Sequence, residues 1–402
     1  MPRLDIPPLS VYVHLPWCVR KCPYCDFNSH AIDGEVPEKR YVAALLGDLD
    51  TQAPLVAGRE VRSVFFGGGT PSLFSAEAIE RIIAGIRAAV GLRADAEITL
   101  EANPGTVERG RFSEYRAAGV NRISLGGQSF NSRHLASLGR IHSVDDTRAA
   151  AAELQVAGID NFNIDLMYGL PGQSVAESLA DVEAAFELEP AHLSHYQLTL
   201  EPGTVFFHRP PALPDEDAAW EMQLRCQQLL AAQGFQQYEV SAYARQGRRC
   251  LHNLNYWQFG DYLGLGAGAH GKLTDPARGV LRTERIRQPR QYLESMARNA
   301  APPSVRVVDS ADLPFEYMLN ALRLVEGFAA ADFERWTGLA IEDIRAVIES
   351  GVDRELLESN RMGGWRASAK GQQFLNDLLE LFLPPPPPRL GLRAPTQAAN
   401  LL

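Results

Sequence analysis

Residues 10–27 read Ser10-Val11-Tyr12-Val13-His14-Leu15-Pro16-Trp17-Cys18-Val19-Arg20-Lys21-Cys22-Pro23-Tyr24-Cys25-Asp26-Phe27. Ser10–Leu15 alternates polar or aromatic residues with branched apolar ones, the pattern of a β-strand. Directly after it, three cysteines fall within eight residues. Five comparable strands follow, at Arg62–Phe66, Glu97–Glu101, Arg122–Leu125, Asn161–Met167 and His192–Leu200. Helical patterns lie between them at about 38–56, 75–90, 106–118, 143–157 and 174–188. Ser75 followed by Glu77 is a start signal, and Gly91, Gly119 and Gly158 are stops. Five crossovers of this length predict an α/β fold with a parallel sheet of about six strands and helices outside. Such a sheet is either open and doubly wound or curled into part of a barrel. In both forms ligands bind at the carboxyl ends of the strands. The chemically capable residues share that address. Cys18 follows the first strand and Gly67–Gly69 the second, Glu101 ends the third, Gln128 follows the fourth, Asp165 lies late in the fifth and Tyr196 in the sixth.

The remaining composition narrows the class. At 402 residues, 46% hydrophobic and 22% charged, the chain is an ordinary globular protein rather than a disordered or fibrous one. A net charge of -10 argues against a general nucleic-acid binder. No stretch approaches the roughly 18–20 apolar residues of a membrane span, and Met1–Asp5 lacks the order of a secretory signal, so a cytoplasmic location is expected. Five cysteines are too few for a disulfide scaffold. After Glu201 a Pro-rich connection runs to Pro214, Glu216–Gln233 reads as a helix, Phe235–Tyr243 as a strand, and Leu251–Gly271 as irregular structure. The chain therefore divides into an N-terminal arm (1–8), a core (9–240), a connecting segment (241–309), a helical domain (310–383) and a Pro-rich disordered tail (384–402). A wing around Gly363–Trp365 invites a DNA-binding reading of the helical domain. Its 7 basic against 13 acidic residues oppose the phosphate backbone and exclude it.

Cys18, Cys22 and Cys25 form C-x3-C-x2-C. Thiolates are soft ligands suited to iron–sulfur clusters or zinc, and both normally need four protein ligands. Three thiolates on a four-iron cube leave one iron open to a small molecule, the requirement for binding and reductively cleaving S-adenosylmethionine. The competing readings are a zinc loop completed by His14, or three unrelated buried cysteines. Cys226, in a helical pattern, and Cys250, far from the loop, read as small core residues.

The cysteine pattern resembles the signature of the radical SAM superfamily. Residues 10–27, 65–72, 98–105, 123–130, 138–142 and 161–172 extend the resemblance to the coproporphyrinogen oxidase-like branch that contains HemN and HemW, over most of residues 9–380. HemN carries a further cysteine two positions after the third. Here that position is Phe27, as in HemW, and only 17 residues precede Cys18. The resemblance implies a partial (β/α)6 TIM-like barrel of the radical SAM type with a smaller, mainly helical C-terminal domain. It also implies a [4Fe–4S] cluster on Cys18, Cys22 and Cys25, and contacts to S-adenosylmethionine from Tyr12, Gly69 and Glu101. Without the family, Tyr12 is equally an ordinary strand tyrosine, the glycine run a tight turn, and Glu101 a carboxylate at a helix N-terminus. Tyr24, Thr70, Pro71, Gln128, Arg140 and Asp165 match positions that in HemN contact a second S-adenosylmethionine; Arg140 and Asp165 are equally a candidate structural ion pair.

His252-Asn253-Leu254-Asn255-Tyr256-Trp257 fits H-N-x-x-Y-W, a motif that resembles HemW rather than HemN. Imidazole is a common axial ligand of haem iron, and aromatics pack on porphyrins; by composition alone these residues simply pack and hydrogen-bond. His270 is a second candidate ligand, and either His195 or Tyr196 faces the cavity, since strand alternation admits one of the pair. The resemblance implies a haem chaperone, binding haem as cargo for apo-haemoproteins, respiratory ones among them. It further implies a homodimer, cytoplasmic or loosely membrane-associated. The alternative is oxygen-independent coproporphyrinogen III oxidase, which removes propionate carboxyls by radical decarboxylation.

Overall fold

The computed structural model describes residues 4–105, 110–298 and 303–384. Six parallel strands, β1 (Leu9–Leu15), β2 (Val61–Gly68), β3 (Leu92–Ala102), β4 (Arg122–Gln128), β5 (Phe162–Tyr168) and β6 (His192–Gln197), lie side by side in chain order. Between them run α1 (Glu38–Gln52), α2 (Ala76–Ala89), α3 (Phe112–Ala117), α4 (Val144–Val156) and α5 (Val175–Phe186). Ser75, Ser143 and Ser174 cap the starts of α2, α4 and α5. Gly91, Gly119 and Gly158 close α2, α3 and α4 at positive φ of 96°, 107° and 71°, where any other residue is strained. Residues 106–109, the start of the third expected helix, lie outside the described residues.

Sequential strand order has no point at which the winding reverses, so the crossover helices fall on one face and the sheet curls, as the partial barrel requires. Alternate strand residues make this possible. Val11, Val13, Val64, Phe66, Ile98, Leu100, Ile123, Leu125, Ile164 and Leu166 pack outward against Ile79, Ile82, Ile83 and Leu154 of the helices in one continuous core.

The barrel does not close on itself among the described residues. Beyond β6 the sheet continues through β8 (Ala242–Ala244) to β7 (Gln236–Glu239). Beyond β1 it continues through β9 (Asp261–Leu265), β10 (His270–Asp275) and β11 (Gly279–Glu284) to β12 (Ser304–Val307). The strand expected over Phe235–Tyr243 is thus two antiparallel strands. Leu251–Gly271, expected to be irregular, instead forms a helix between α6 (Glu216–Ala232) and β9, α7 (Leu251–Trp257), followed by β9 itself. Its ordering forces come from elsewhere in the chain. The Glu97 carboxylate accepts the Leu251 and His252 N–H groups, both at 3.1 Å, a negative charge at a helix N-terminus. A Cβ on Gly264 would stand 2.0 Å from the His270 carbonyl oxygen, so glycine here permits close strand contact rather than marking a loop.

A second apolar cluster, around Tyr317, Met318, Phe328, Phe333, Ile348 and Leu378, joins the C-terminal helices to a three-stranded sheet that includes Gly364–Ala367. The Pro-rich end from residue 385 lies outside the described residues. No helix among the described residues is long and apolar enough to cross a membrane.

Candidate functional site

Most strand positions facing away from the helices are polar. They include Ser10, Tyr12 and His14 on β1, Glu97 and Glu101 on β3, Arg122 and Ser124 on β4, Asn163 and Asp165 on β5, and Ser194 and Tyr196 on β6. Parallel strands buried on both faces normally read as continuous apolar runs. A polar lumen is therefore the local departure that marks a site.

The cysteine loop sits at the carboxyl end of β1, and its shape is set without the thiols. His30 N–H donates to Pro16 O at 2.7 Å and Ile32 N–H to Cys18 O at 2.9 Å. Lys21 Nζ spans Phe27 O and Ser29 O at 3.0 and 3.1 Å. Asn28 Nδ2 donates to Ala267 O and Arg287 O, both at 2.9 Å, fastening the loop to the segments after β9 and β11. The three thiols are free, partly buried, and line one cavity of about 320 Å³ with Gly69, Thr70, Glu101, Gln128, Arg140 and Asp165. Burial pushes the Cys18 and Cys25 thiols up from their ordinary range.

The structure decides between several of the competing readings. His14 is engaged at both ring nitrogens, by Tyr12 OH at 3.0 Å and Asn28 O at 2.9 Å. Among the described residues no three His, Cys, Asp or Glu side chains converge tightly enough for a single metal ion. Arg140 does not pair with Asp165. Its guanidinium reaches Asn103 Oδ1, Gly126 O at 2.9 Å and Cys22 Sγ at 3.7 Å. Asp165 instead accepts from Asn163 Nδ2 at 2.7 Å and Ser124 Oγ at 3.3 Å. Cys226 and Cys250 are buried away from the loop, against Ser178 and Glu97.

Gly69 earns its place by packing. A Cβ there would lie 2.5 Å from Trp17 O, at the base of the cysteine loop. The Thr70 N–H donates to Trp17 O at 2.7 Å, and its hydroxyl accepts from Asn103. Pro71 starts a short 3-10 turn, and Tyr24 lies in the loop between Cys22 and Cys25. Gln128, the last residue of β4, has φ 67° and accepts the Tyr196 hydroxyl at 2.7 Å. Tyr196 faces the cavity; His195 is on the other face, stacked on Tyr168 at 4.7 Å. Glu101 accepts the Gly68 N–H at 3.3 Å, and burial, with the Asp165 charge, lifts its carboxyl to about 8.

Tyr12 faces a second cavity of about 750 Å³ that shares Asp26, Phe27, Gly68, Glu101, Ser124 and Asp165 with the first. Phe27, 58% exposed, lines both. The second cavity is walled by Tyr12, Phe65, Tyr256 and Trp257, with His252 beneath them on α7. His252 stacks on Phe65 at 4.9 Å and shares a hydrogen bond with Ser63 Oγ through Nδ1 at 3.3 Å; its Nε2 has no partner. Burial lowers its pKa to about 3, so the imidazole is neutral. His270 is exposed at the rim, 3.9 Å from Glu284. Arg122, Ser124, Asn163 and Ser194 also line this cavity and escape a motif-based reading. Their only signal is the two-residue period of polar side chains within buried strands.

A parallel barrel of this kind with three thiols after its first strand defines a class, and comparison with known proteins names it. Residues 12–185 match the radical SAM superfamily. Haem chaperone HemW of Escherichia coli is 51% identical over 380 residues, covering 94% of this chain and 99% of that one. HemW of Haemophilus influenzae is 48% identical over 389 residues, covering 95% and 99%. The solved structure of coproporphyrinogen III oxidase HemN from Escherichia coli superposes with a TM-score of 0.79 at 23% identity, covering 94% and 91%, a likeness of fold. The chain belongs to the radical SAM superfamily, in its HemN/HemW branch.

Proposed function

We propose that this chain is a haem chaperone that carries a [4Fe–4S] cluster on Cys18, Cys22 and Cys25, binds S-adenosylmethionine beside it, and passes haem to apo-haemoproteins. The observation that carries the reading is the pair of adjoining cavities. One presents three thiols and polar strand ends; the other is aromatic-walled and floored by the His252–Trp257 helix. Cys18, Cys22 and Cys25 would hold the cube, which would supply one iron without a protein ligand for S-adenosylmethionine to bind. The protein's part is positional. Gly69 and Thr70 hold the glycine turn against the loop base, Arg140 places positive charge beside Cys22, and Tyr12, Phe65 and Tyr256 offer flat apolar surface to a porphyrin. The neutral His252 keeps a nitrogen without a protein partner beside that surface. The HemW relatives, at 51% and 48% identity, support the same assignment.

The test sets the chaperone against the oxidase. Reduced, cluster-loaded protein incubated with coproporphyrinogen III and S-adenosylmethionine yields no protoporphyrinogen, while haem is taken up stably and His252→Ala weakens that uptake by about tenfold or more. Robust decarboxylation overturns the reading.

Glu101 gives a pH signature. Its carboxyl, lifted to about 8, is mostly protonated near neutral pH in the free protein. A ligand ammonium or ribose hydroxyl favours the ionised form. Affinity for S-adenosylmethionine therefore rises between about pH 6 and pH 8, by at most about tenfold per unit, and levels off above the pKa. Equilibrium dialysis of the wild type against Glu101→Gln checks this: the variant loses the Glu101-dependent part of the slope.

A further inference from the structure

Arg122 opens β4 at the end of the strand opposite Gln128, six strand steps or roughly 20 Å away. Its side chain is 2% exposed and lines the second cavity. An arginine offers five N–H donors that normally meet acceptors when buried. Here Nε has no hydrogen-bond partner, and the one ion-pair contact among the described residues is Glu97 Oε2, 4.0 Å away. Glu97 is already committed, accepting two backbone N–H groups of α7 and the Cys250 thiol. Asp165, the other carboxylate near the guanidinium, is held by Asn163 and Ser124. Arg122 Nε thus has nearby negative charge but no hydrogen-bonded acceptor, and a carboxylate entering the cavity would supply one. Arg122 lines the same cavity as the aromatic wall of Tyr12, Phe65 and Tyr256.

We propose that Arg122 is the carboxylate receptor of the second cavity: it receives an acid group of the flat aromatic ligand packed against that wall, a propionate if the ligand is haem. This deepens the haem-chaperone reading and rests on it. Carboxylate and guanidinium match in a bidentate fork, which fixes orientation as well as adding affinity. The polar lumen then has two duties, with the cysteine end holding the cluster and the Arg122 end holding the acidic edge of the cargo.

S-adenosylmethionine also carries a carboxylate, so the experiment separates the two sources. Haem and haem dimethyl ester, in which both acids are capped, are titrated into the cluster-loaded wild type, Arg122→Gln and Arg122→Lys, and S-adenosylmethionine is titrated in parallel. The wild type binds the ester roughly 10- to 100-fold more weakly than haem. Arg122→Gln binds haem and ester alike, Arg122→Lys keeps part of the discrimination, and S-adenosylmethionine affinity is unchanged in both variants. Equal binding of haem and ester by the wild type, a measurement that needs no variant to fold, overturns the Arg122 assignment and leaves the chaperone reading standing. Weakened S-adenosylmethionine binding in Arg122→Gln, with haem binding intact, also overturns it. A wild type that takes up no haem sinks the chaperone reading and this inference together.

Discussion

Serine in place of any one of Cys18, Cys22 or Cys25 yields a folded protein with almost no iron or acid-labile sulfide. Oxygen for sulfur exchanges a soft ligand for a hard, mostly protonated one, and two remaining thiolates hold a four-iron body poorly. The fold survives because hydrogen bonds accepted by Pro16 O and donated by Lys21 and Asn28, none of them involving a thiol, set the loop. The thermal midpoints of the metal-free wild type and the variants should agree within about 1–2 °C, the shift that roughly 1 kcal/mol makes in a chain of 402 residues. Iron and sulfide assays after anaerobic reconstitution provide the decisive reading. A serine variant that retains wild-type cluster content removes that cysteine from the ligand set.

Asp48→Ala has the largest expected effect on stability, a loss of about 3–5 kcal/mol in chemical denaturation. Asp48 is fully buried on α1 and gathers the Arg285 guanidinium, Tyr292 OH at 2.9 Å, Gln52 Nε2 at 2.8 Å and Gly266 N–H at 3.2 Å. Removing the carboxylate strips a buried cation of that counter-charge, which is far worse than removing both partners. Asp48→Asn, which preserves some hydrogen bonding, falls between. Asp48→Ala combined with Arg285→Met recovers much of the loss. A single-variant loss below about 1 kcal/mol contradicts the account. The cluster matters to the site because it lies beside Tyr41, whose hydroxyl donates to His14 O and accepts from Ala267 N–H, bracing the end of β1 from which the cysteine loop departs.

The six parallel strands and their helices are legible in the sequence because their cues are local. Serine caps, positive-φ glycines and branched residues at two-residue spacing act within a few positions of where they stand. The position of the cysteine loop, just after β1, is legible for the same reason: C-x3-C-x2-C is a single short segment. Residues 251–271 are not, because the carboxylate that starts α7 is Glu97, about 150 residues earlier, and the glycines of β9 answer to a neighbouring strand. Strand alternation allows either His195 or Tyr196 to enter the lumen, and only the assembled sheet shows that Tyr196 does. The fates of Arg140 and His14 depend on which partners folding brings near, Asn103 and Cys22 for one, Tyr12 and Asn28 for the other. Arg122 matches no motif. Its meaning appears only when its Nε, without a hydrogen-bond acceptor, is seen beside an aromatic wall.

The two chambers have a party wall. Gly68, Glu101, Ser124 and Asp165 belong to both, so neither room can be remodelled alone. If the proposed function holds, substitutions at these four positions are pleiotropic: each should shift nucleoside and porphyrin dissociation constants together. Residues facing a single room, such as Arg140 on one side and Tyr256 on the other, are where the two specificities are free to drift apart.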